Sequence, residues 1–440
     1  MSSMVLTGGR VIDPQNNLDA VADVLVQDGR VTQVGKGLKA KADAVIELQP
    51  HHWVCPGLID GRVNFGDPGY SDRETIRTGA ASAAVGGITT AILMPTTKPV
   101  IDNVATLEYV WATVRRDSAV RLEVLAAATK NLEGVELTEM GKLTANGVVG
   151  FGDDTAPIAN TLIMRRLLEY AQMLDKPVVV HPQDPYFSGA GIMNEGYYST
   201  LLGIPGIPAV GESLMIARDL QLLKRFGGRL HVARVTTAES VRLLRRAKYD
   251  GLAVTAETTA HHLCFTQADM QRYDSDFKVQ PPLRTDDDQQ ALIEGLADGT
   301  IDSIVSDHTP HNPDEKSRPI DQSPYGAIGT ETLLGALMTR LLQDDALTPT
   351  TLIKALTQNP ARCYDLADRG HLSPGALADV TVIDSTAQWV VDPLQFKSAA
   401  RNCPFKGQTL TGQAVLTLVG GAVVYRHPTL SEAPAPVVMG

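Results

Sequence analysis

The sequence predicts a (β/α)8 TIM-type barrel with a small β-sandwich-like domain built from the two ends of the chain. Two observations carry this. Eight short apolar runs of strand length recur through the middle of the chain, at 57–65, 87–94, 121–127, 147–153, 177–181, 229–235, 252–257 and 302–307. Between them lie stretches with helical apolar spacing, such as 161–174 and 239–247. Strand–helix alternation repeated eight times closes most simply into a barrel. An open doubly wound sheet fits less well, because no glycine-rich phosphate loop follows the first strand.

The two ends read differently. Asp28-Gly29 sits between apolar runs at 23–26 and 31–34, a hairpin signal. Gly420-Gly421 breaks the run at 414–425 in the same way. Neither end is long enough for a stable sheet alone, so we expect 1–55 and 372–430 to pair into one domain beside a barrel of 56–371. The Pro-rich tail, 431–440, is expected to be disordered.

With 440 residues, the chain has ample length for a barrel of about 250 plus a second domain. A net charge of -11 argues against a nucleic-acid or anionic-membrane partner. No apolar stretch approaches the roughly 18 residues of a membrane span, and no basic-then-apolar leader opens the chain. Cys55, Cys264, Cys363 and Cys403 lie far apart without a CxxC pair, which suggests free thiols in a reducing cytoplasm.

A barrel of this kind presents its chemistry at the C-terminal ends of its strands. There the chain places Asp60 to Phe65, Asp153-Asp154, His181, His231 to Arg234, Glu257 with His261-His262, and Asp307 to His311. Converging carboxylates and imidazoles suit a divalent metal. Blander readings stand beside each. Asp153-Asp154 could cap a helix, His231 could be a packed core imidazole, and His261-His262 could open a helix. The long polar segment 311–328, rich in Pro and Gly, could be a lid or binding loop.

At this point the motifs resemble a known family. Pro56-Gly57-Leu58-Ile59-Asp60, Asp67-Pro68-Gly69, Met94-Pro95, Phe151-Gly152-Asp153-Asp154, Met193-Asn194-Glu195, Pro281-Pro282-Leu283-Arg284 and Asp307-His308-Thr309-Pro310-His311 resemble, in order, the series of class I dihydroorotase. The resemblance runs from about Val5 to Arg426. It implies a two-zinc site that opens or closes the dihydroorotate ring in pyrimidine synthesis. Of its ligands, Asp153, His181 and Asp307 remain, with Asp307 also the implied proton carrier.

The departures matter more. Where the resemblance implies a His-x-His pair on the first strand, the chain has Arg62 and Asn64; where it implies a histidine on the sixth, it has Arg234. The position of the substrate-gripping arginine is Gly66, and two family asparagines are Thr96 and Gln280. His311 remains as a substrate contact. Arginine stays protonated and cannot give a lone pair to zinc. We therefore expect no cofactor, or zinc only at a residual site, with Arg62 and Arg234 pairing with Asp153 and Asp307 in place of the metals.

Three kinds of role suit these residues. The leading role is a catalytically inactive homologue that assembles, in a homo- or hetero-oligomer, with aspartate carbamoyltransferase, as similar bacterial proteins do. The others are an active cyclic amidohydrolase with a reduced metal site, and a non-catalytic small-molecule binder.

Overall fold

The computed structural model describes residues 3–343 and 345–430. The tail for which disorder is expected lies outside them. All eight expected barrel strands are present, numbered here 1 to 8: Leu58–Val63, Ile88–Leu93, Arg121–Ala126, Gly150–Phe151, Val178–Val180, Leu230–Val232, Val254–Thr259 and Ser303–Val305. They pair in sequence order as one eight-stranded sheet, every pair parallel. A parallel bridge between Val63 and His308, with Asn64 N–H donating to the His308 carbonyl at 2.9 Å, joins the last strand to the first. Seven of the strands are shorter than their apolar runs, ending where polar residues turn into the mouth; strand 7 instead continues past Glu257 to Thr259.

Strand residues divide between two cores. Ile59, Ile92, Leu125, Val149, Val179 and Ala233 pack inside the barrel with Tyr364. Leu58, Val63, Val124, Phe151, Val178 and Val232 pack outward against the helices. This is the period-two alternation of a strand, applied to a barrel buried on both faces.

The chain ends form two sheets. One has four strands, in the order Arg30–Gly35, Asp23–Gln27, Ser3–Thr7 and Ala44–Glu47. The other has six, in the order Ala422–Arg426, Thr409–Val419, Val380–Val390, His52–Pro56, Arg10–Asp13 and Leu18–Val21. The second sheet unites the termini: Val380 to Asp384 run antiparallel to Pro56 to His52. Leu6, Val24 and Ile46 of the first sheet share a core with Val54, Val382 and Leu416 of the second. A further two-stranded sheet, Met193–Asn194 with Gly206–Ile207, escapes sequence reading because two-residue strands have no periodicity. Among the described residues, no helix is long and apolar enough to cross a membrane.

Candidate functional site at the barrel mouth

Arg62 is the centre of the mouth. The pairing of strands 1 and 2 slips between Asp60 and Val63, the mark of a bulge that re-aims a side chain. Gly61 permits this: a Cβ there would lie 2.9 Å from Glu257 Oε2 and 3.1 Å from Val305 Cγ1. The Arg62 side chain is 2% exposed. Its Nε and Nη2 donate to Asp154 Oδ1 at 2.9 and 2.6 Å, and its Nη1 donates to Asp307 Oδ1. One guanidinium thus ties the end of strand 4 to the end of strand 8.

Arg234 adds a second cation. Its Nη1 donates to the Gln280 carbonyl at 3.0 Å and its Nη2 to the Asp154 carbonyl at 3.1 Å. The same nitrogens stand 3.8 Å from Asp307 Oδ1 and 3.7 Å from Asp154 Oδ1. Two buried cations therefore face two buried carboxylates. Burial alone would raise Asp154, but Arg62 and Arg234 outweigh it and hold the carboxyl below its usual range. At Asp307 burial wins and raises it, despite the same two arginines.

The backbone carries a matching signature. Asp154, Arg234 and Asp307 have φ of +50°, +54° and +54°, a left-handed conformation that non-glycine residues seldom adopt. Such residues cost on the order of 1–3 kcal/mol each and persist where the surroundings over-determine them. All three lie just beyond strands 4, 6 and 8; the Asp154 and Asp307 side chains meet at Arg62, and Arg234 stands beside both carboxylates.

The expected pairing needs one correction. Asp307 does meet the arginines, but Asp153 does not; its neighbour Asp154 takes that place. Asp153 Oδ1 accepts the backbone N–H groups of Ala128 and Thr129, each at 2.9 Å, and its Oδ2 accepts the Thr129 hydroxyl. Burial still pushes its carboxyl up to about 6. The cause is phase. Val149 points inward and Phe151 outward, so Asp153 follows Phe151, whereas the left-handed turn at 154 swings the next side chain into the mouth. Nor is Asp153-Asp154 a helix cap, since Asn160 caps the following helix.

The remaining expected residues gather nearby. The Thr96 hydroxyl lies 2.7 Å from Asn64 Oδ1 and 3.0 Å from Asp154 Oδ2, one of which takes its proton. His181 Nε2 pairs with Gln183 Oε1 at 2.9 Å, and Gln280 Nε2 donates to that same oxygen at 3.0 Å. Burial, with Arg234 and Arg62 beside it, drives the His181 pKa well below the ordinary value, so the ring is neutral. His311 Nε2 donates to the Tyr325 carbonyl at 2.8 Å, and burial lowers its pKa to about 4. Asn64, Gly66, Arg73, Thr96, Asp154 and His311 help line a cavity of about 370 Å3.

Gly66 shows why the substrate-gripping arginine implied by the resemblance cannot simply be restored. Its φ is +64°, and a Cβ there would come within 2.6 Å of the Tyr70 carbonyl oxygen and 2.7 Å of that of Glu74. We expect Gly66→Arg to destabilise the protein by about 1–3 kcal/mol, read from urea unfolding. An unchanged midpoint would contradict this.

Other histidines are structural. His262 Nε2 donates to the Pro281 carbonyl at 3.0 Å and its Nδ1 accepts the Thr259 hydroxyl at 2.7 Å; burial lowers it to about 3. It sits with His261 in the helix Ala260–Cys264, where the sequence places a helix start. His231 is more than packing: its Nε2 meets Glu257 Oε2 at 3.0 Å deep in the barrel. Burial opposes its charge, but Cys363 and Glu257 outweigh burial and push it up to about 10. A raised histidine stabilises the fold fully below its unfolded value, near 6.5, and that stabilisation disappears as pH rises through the folded value. His231→Gln should therefore cost about 4 kcal/mol at neutral pH, and the gap to wild type should shrink as pH approaches 10. A pH-independent gap would refute the charged pair.

The segment 311–328, read from the sequence as a lid or binding loop, is pinned. Lys316 Nζ donates to the carbonyls of Ser275 at 2.6 Å and Gly326 at 3.0 Å, and Lys278 Nζ to those of Ile320 at 2.6 Å and Ser323 at 2.7 Å.

These residues do not fit a two-zinc centre. The carboxylate oxygens that face each other across the mouth already accept from Arg62, and both oxygens of Asp153 serve the 128–129 turn. Among the described residues, the three metal-ligating side chains whose donor atoms lie within 4.8 Å of one another are His51, His52 and Asp384, outside the barrel.

Comparison with known proteins agrees with the fold. Residues 53–424 match the Amidohydrolase family. The chain is 43% identical to a dihydroorotase of Anaeromyxobacter dehalogenans (strain 2CP-C), over 96% of this chain and 98% of that one. It is 42% identical to a dihydroorotase of Syntrophus aciditrophicus (strain SB), over 96% and 99%. Among solved structures, L-hydantoinase (dihydropyrimidinase) from Arthrobacter aurescens superposes with a TM-score of 0.87 at 26% identity, covering 98% of this chain and 97% of that one. D-hydantoinase from Thermus sp. shares the fold, with a TM-score of 0.83 at 19% identity over 96% and 95%. The chain belongs to the amidohydrolase family, within its dihydroorotase group.

Proposed function

We propose that this is a dihydroorotase-family protein of pyrimidine biosynthesis whose barrel mouth is closed by arginine and does not catalyse, and that it serves as a structural or regulatory partner of aspartate carbamoyltransferase. The observation that supports the non-catalytic reading is the Arg62 guanidinium between Asp154 and Asp307. A guanidinium has no lone pair for a metal, and it neutralises the carboxylates that a bridged metal pair would need. Zinc hydrolysis requires three protein ligands and an open position, and Arg62, Asn64 and Arg234 supply no imidazole. The partner is proposed from the motif resemblance described above.

The identity of about 43% to proteins named dihydroorotase favours a second reading, in which a reduced metal site still hydrolyses a cyclic amide. Turnover decides between them. Purified protein in excess zinc should not convert dihydroorotate, and Asp307→Ala should leave the background unchanged. Turnover abolished by that substitution would establish the second reading. For the partner, an aspartate carbamoyltransferase from the same cell should co-elute with this chain on size exclusion; separate elution at micromolar concentrations would remove that part of the proposal.

A further inference from the structure

A second group of side chains lies outside the barrel, where the two ends of the chain meet. Asp384 pairs directly with His52 across the antiparallel strands Val380–Val390 and His52–Pro56. His51 occupies the preceding turn, and its carbonyl accepts the Ser385 hydroxyl at 2.7 Å and the Ser385 N–H at 3.3 Å. The two imidazoles stand edge to face, 4.5 Å between centroids.

The carboxylate is oriented for a third party. Asp384 Oδ1 accepts from Thr386 N and Thr386 Oγ1, each at 2.9 Å, and from Ala387 N at 3.0 Å. That oxygen is saturated and fixed. Oδ2 is left facing both rings, 3.7 Å from His51 Nε2 and 3.9 Å from His52 Nε2. These separations are too long for hydrogen bonds, yet close to the spacing of donors around one tetrahedral ion with bonds of about 2.0–2.2 Å.

We propose that His51, His52 and Asp384 form a structural site for a borderline transition-metal ion of the zinc type, which staples the N-terminal strand to the C-terminal strand of the β-domain. Two imidazoles and a monodentate carboxylate suit Zn2+ or Co2+; Mg2+ and Ca2+ prefer more oxygen ligands. The rings must close by a few tenths of an ångström. His51, with 40% of its side chain exposed, is free to do so.

Binding has a built-in cost. His52 Nδ1 accepts the Gln49 N–H at 3.2 Å, which places the ring proton on Nε2. For Nε2 to take the metal, that proton must leave and Nδ1 must be the protonated nitrogen, so the Gln49 contact breaks. The site should therefore bind more weakly than a closed four-ligand centre. The benefit is topological: the staple joins His52 to Asp384, 332 residues further along (384 − 52), where a link constrains the unfolded chain most.

The test is a titration of chelator-treated full-length protein with Co2+, read by the visible absorption of four-coordinate cobalt and by the thermal midpoint. We expect about one Co2+ per chain and a raised midpoint. His51→Ala and Asp384→Asn should each weaken binding more than about 10-fold. His181→Asn, in the barrel, should leave it unchanged, which separates this site from any metal at the mouth. Binding lost in His181→Asn but retained in His51→Ala and Asp384→Asn would overturn the proposal, as would no binding below millimolar Co2+.

Discussion

Arg62→Met is expected to destabilise the protein by about 3–5 kcal/mol, the cost of leaving a buried charge without its partner. The substitution keeps most of the side-chain volume, so the loss is electrostatic rather than a cavity effect. It removes three donors from Asp154 and Asp307 and leaves Arg234, at 3.7 and 3.8 Å, as the nearer remaining cation. Two carboxylates would then share one guanidinium that donates to neither side chain directly. The measurement is urea unfolding at neutral pH. Adding Asp154→Asn to the Arg62→Met background should recover part of the loss, because it removes one of the stranded charges. A single-variant loss below about 1 kcal/mol, the size of an exposed pair, would mean that the network does not hold the mouth together.

The second large effect is a gain. In Arg62→His/Asn64→His/Arg234→His, imidazoles replace the groups that block metal at the mouth. Asp154, Asp307 and His181 would then face each other without cations, so the variant should be unstable when stripped of metal. Zinc should rescue it. Near 100 times its dissociation constant, each bound ion adds about 2.7 kcal/mol. The experiment belongs in a His51→Ala background, so that the β-domain cluster does not contribute. Elemental analysis should find about two zinc ions per chain, and the thermal midpoint should rise with zinc. Wild type in the same His51→Ala background should show neither effect. Failure of zinc to bind the triple variant would mean that more than three side chains separate this mouth from a metal centre.

The barrel was legible because its strands are short β-branched or small apolar runs whose polar ends fall where a barrel mouth lies. The composite β-domain was legible from its hairpin turns, Asp28-Gly29 and Gly420-Gly421. The arginine substitutions were legible too, since residue type alone excludes Arg62 and Arg234 as ligands. What could not be read was geometry set by single backbone angles. Asp153 and Asp154 are adjacent carboxylates, and a left-handed turn at one residue decides which faces the arginines. The alternation of Val149 and Phe151 carried a usable hint, because it puts Asp153 on the outward phase. The polar groups supporting the site, such as Thr129 and Gln183, are ordinary residues that matter only once the strands are placed. His51 and His52 look like a chance pair until the far end of the chain brings Asp384 opposite them.

The Arg62 guanidinium fills the space between Asp154 and Asp307 and so excludes metal from it. Zinc-edge anomalous diffraction from crystals soaked in zinc tests it most directly. We expect no anomalous peak between those carboxylates and unbroken density for the Arg62 side chain joining them. One or two peaks there, with Arg62 displaced, would contradict it and restore the case for a hydrolytic metal site.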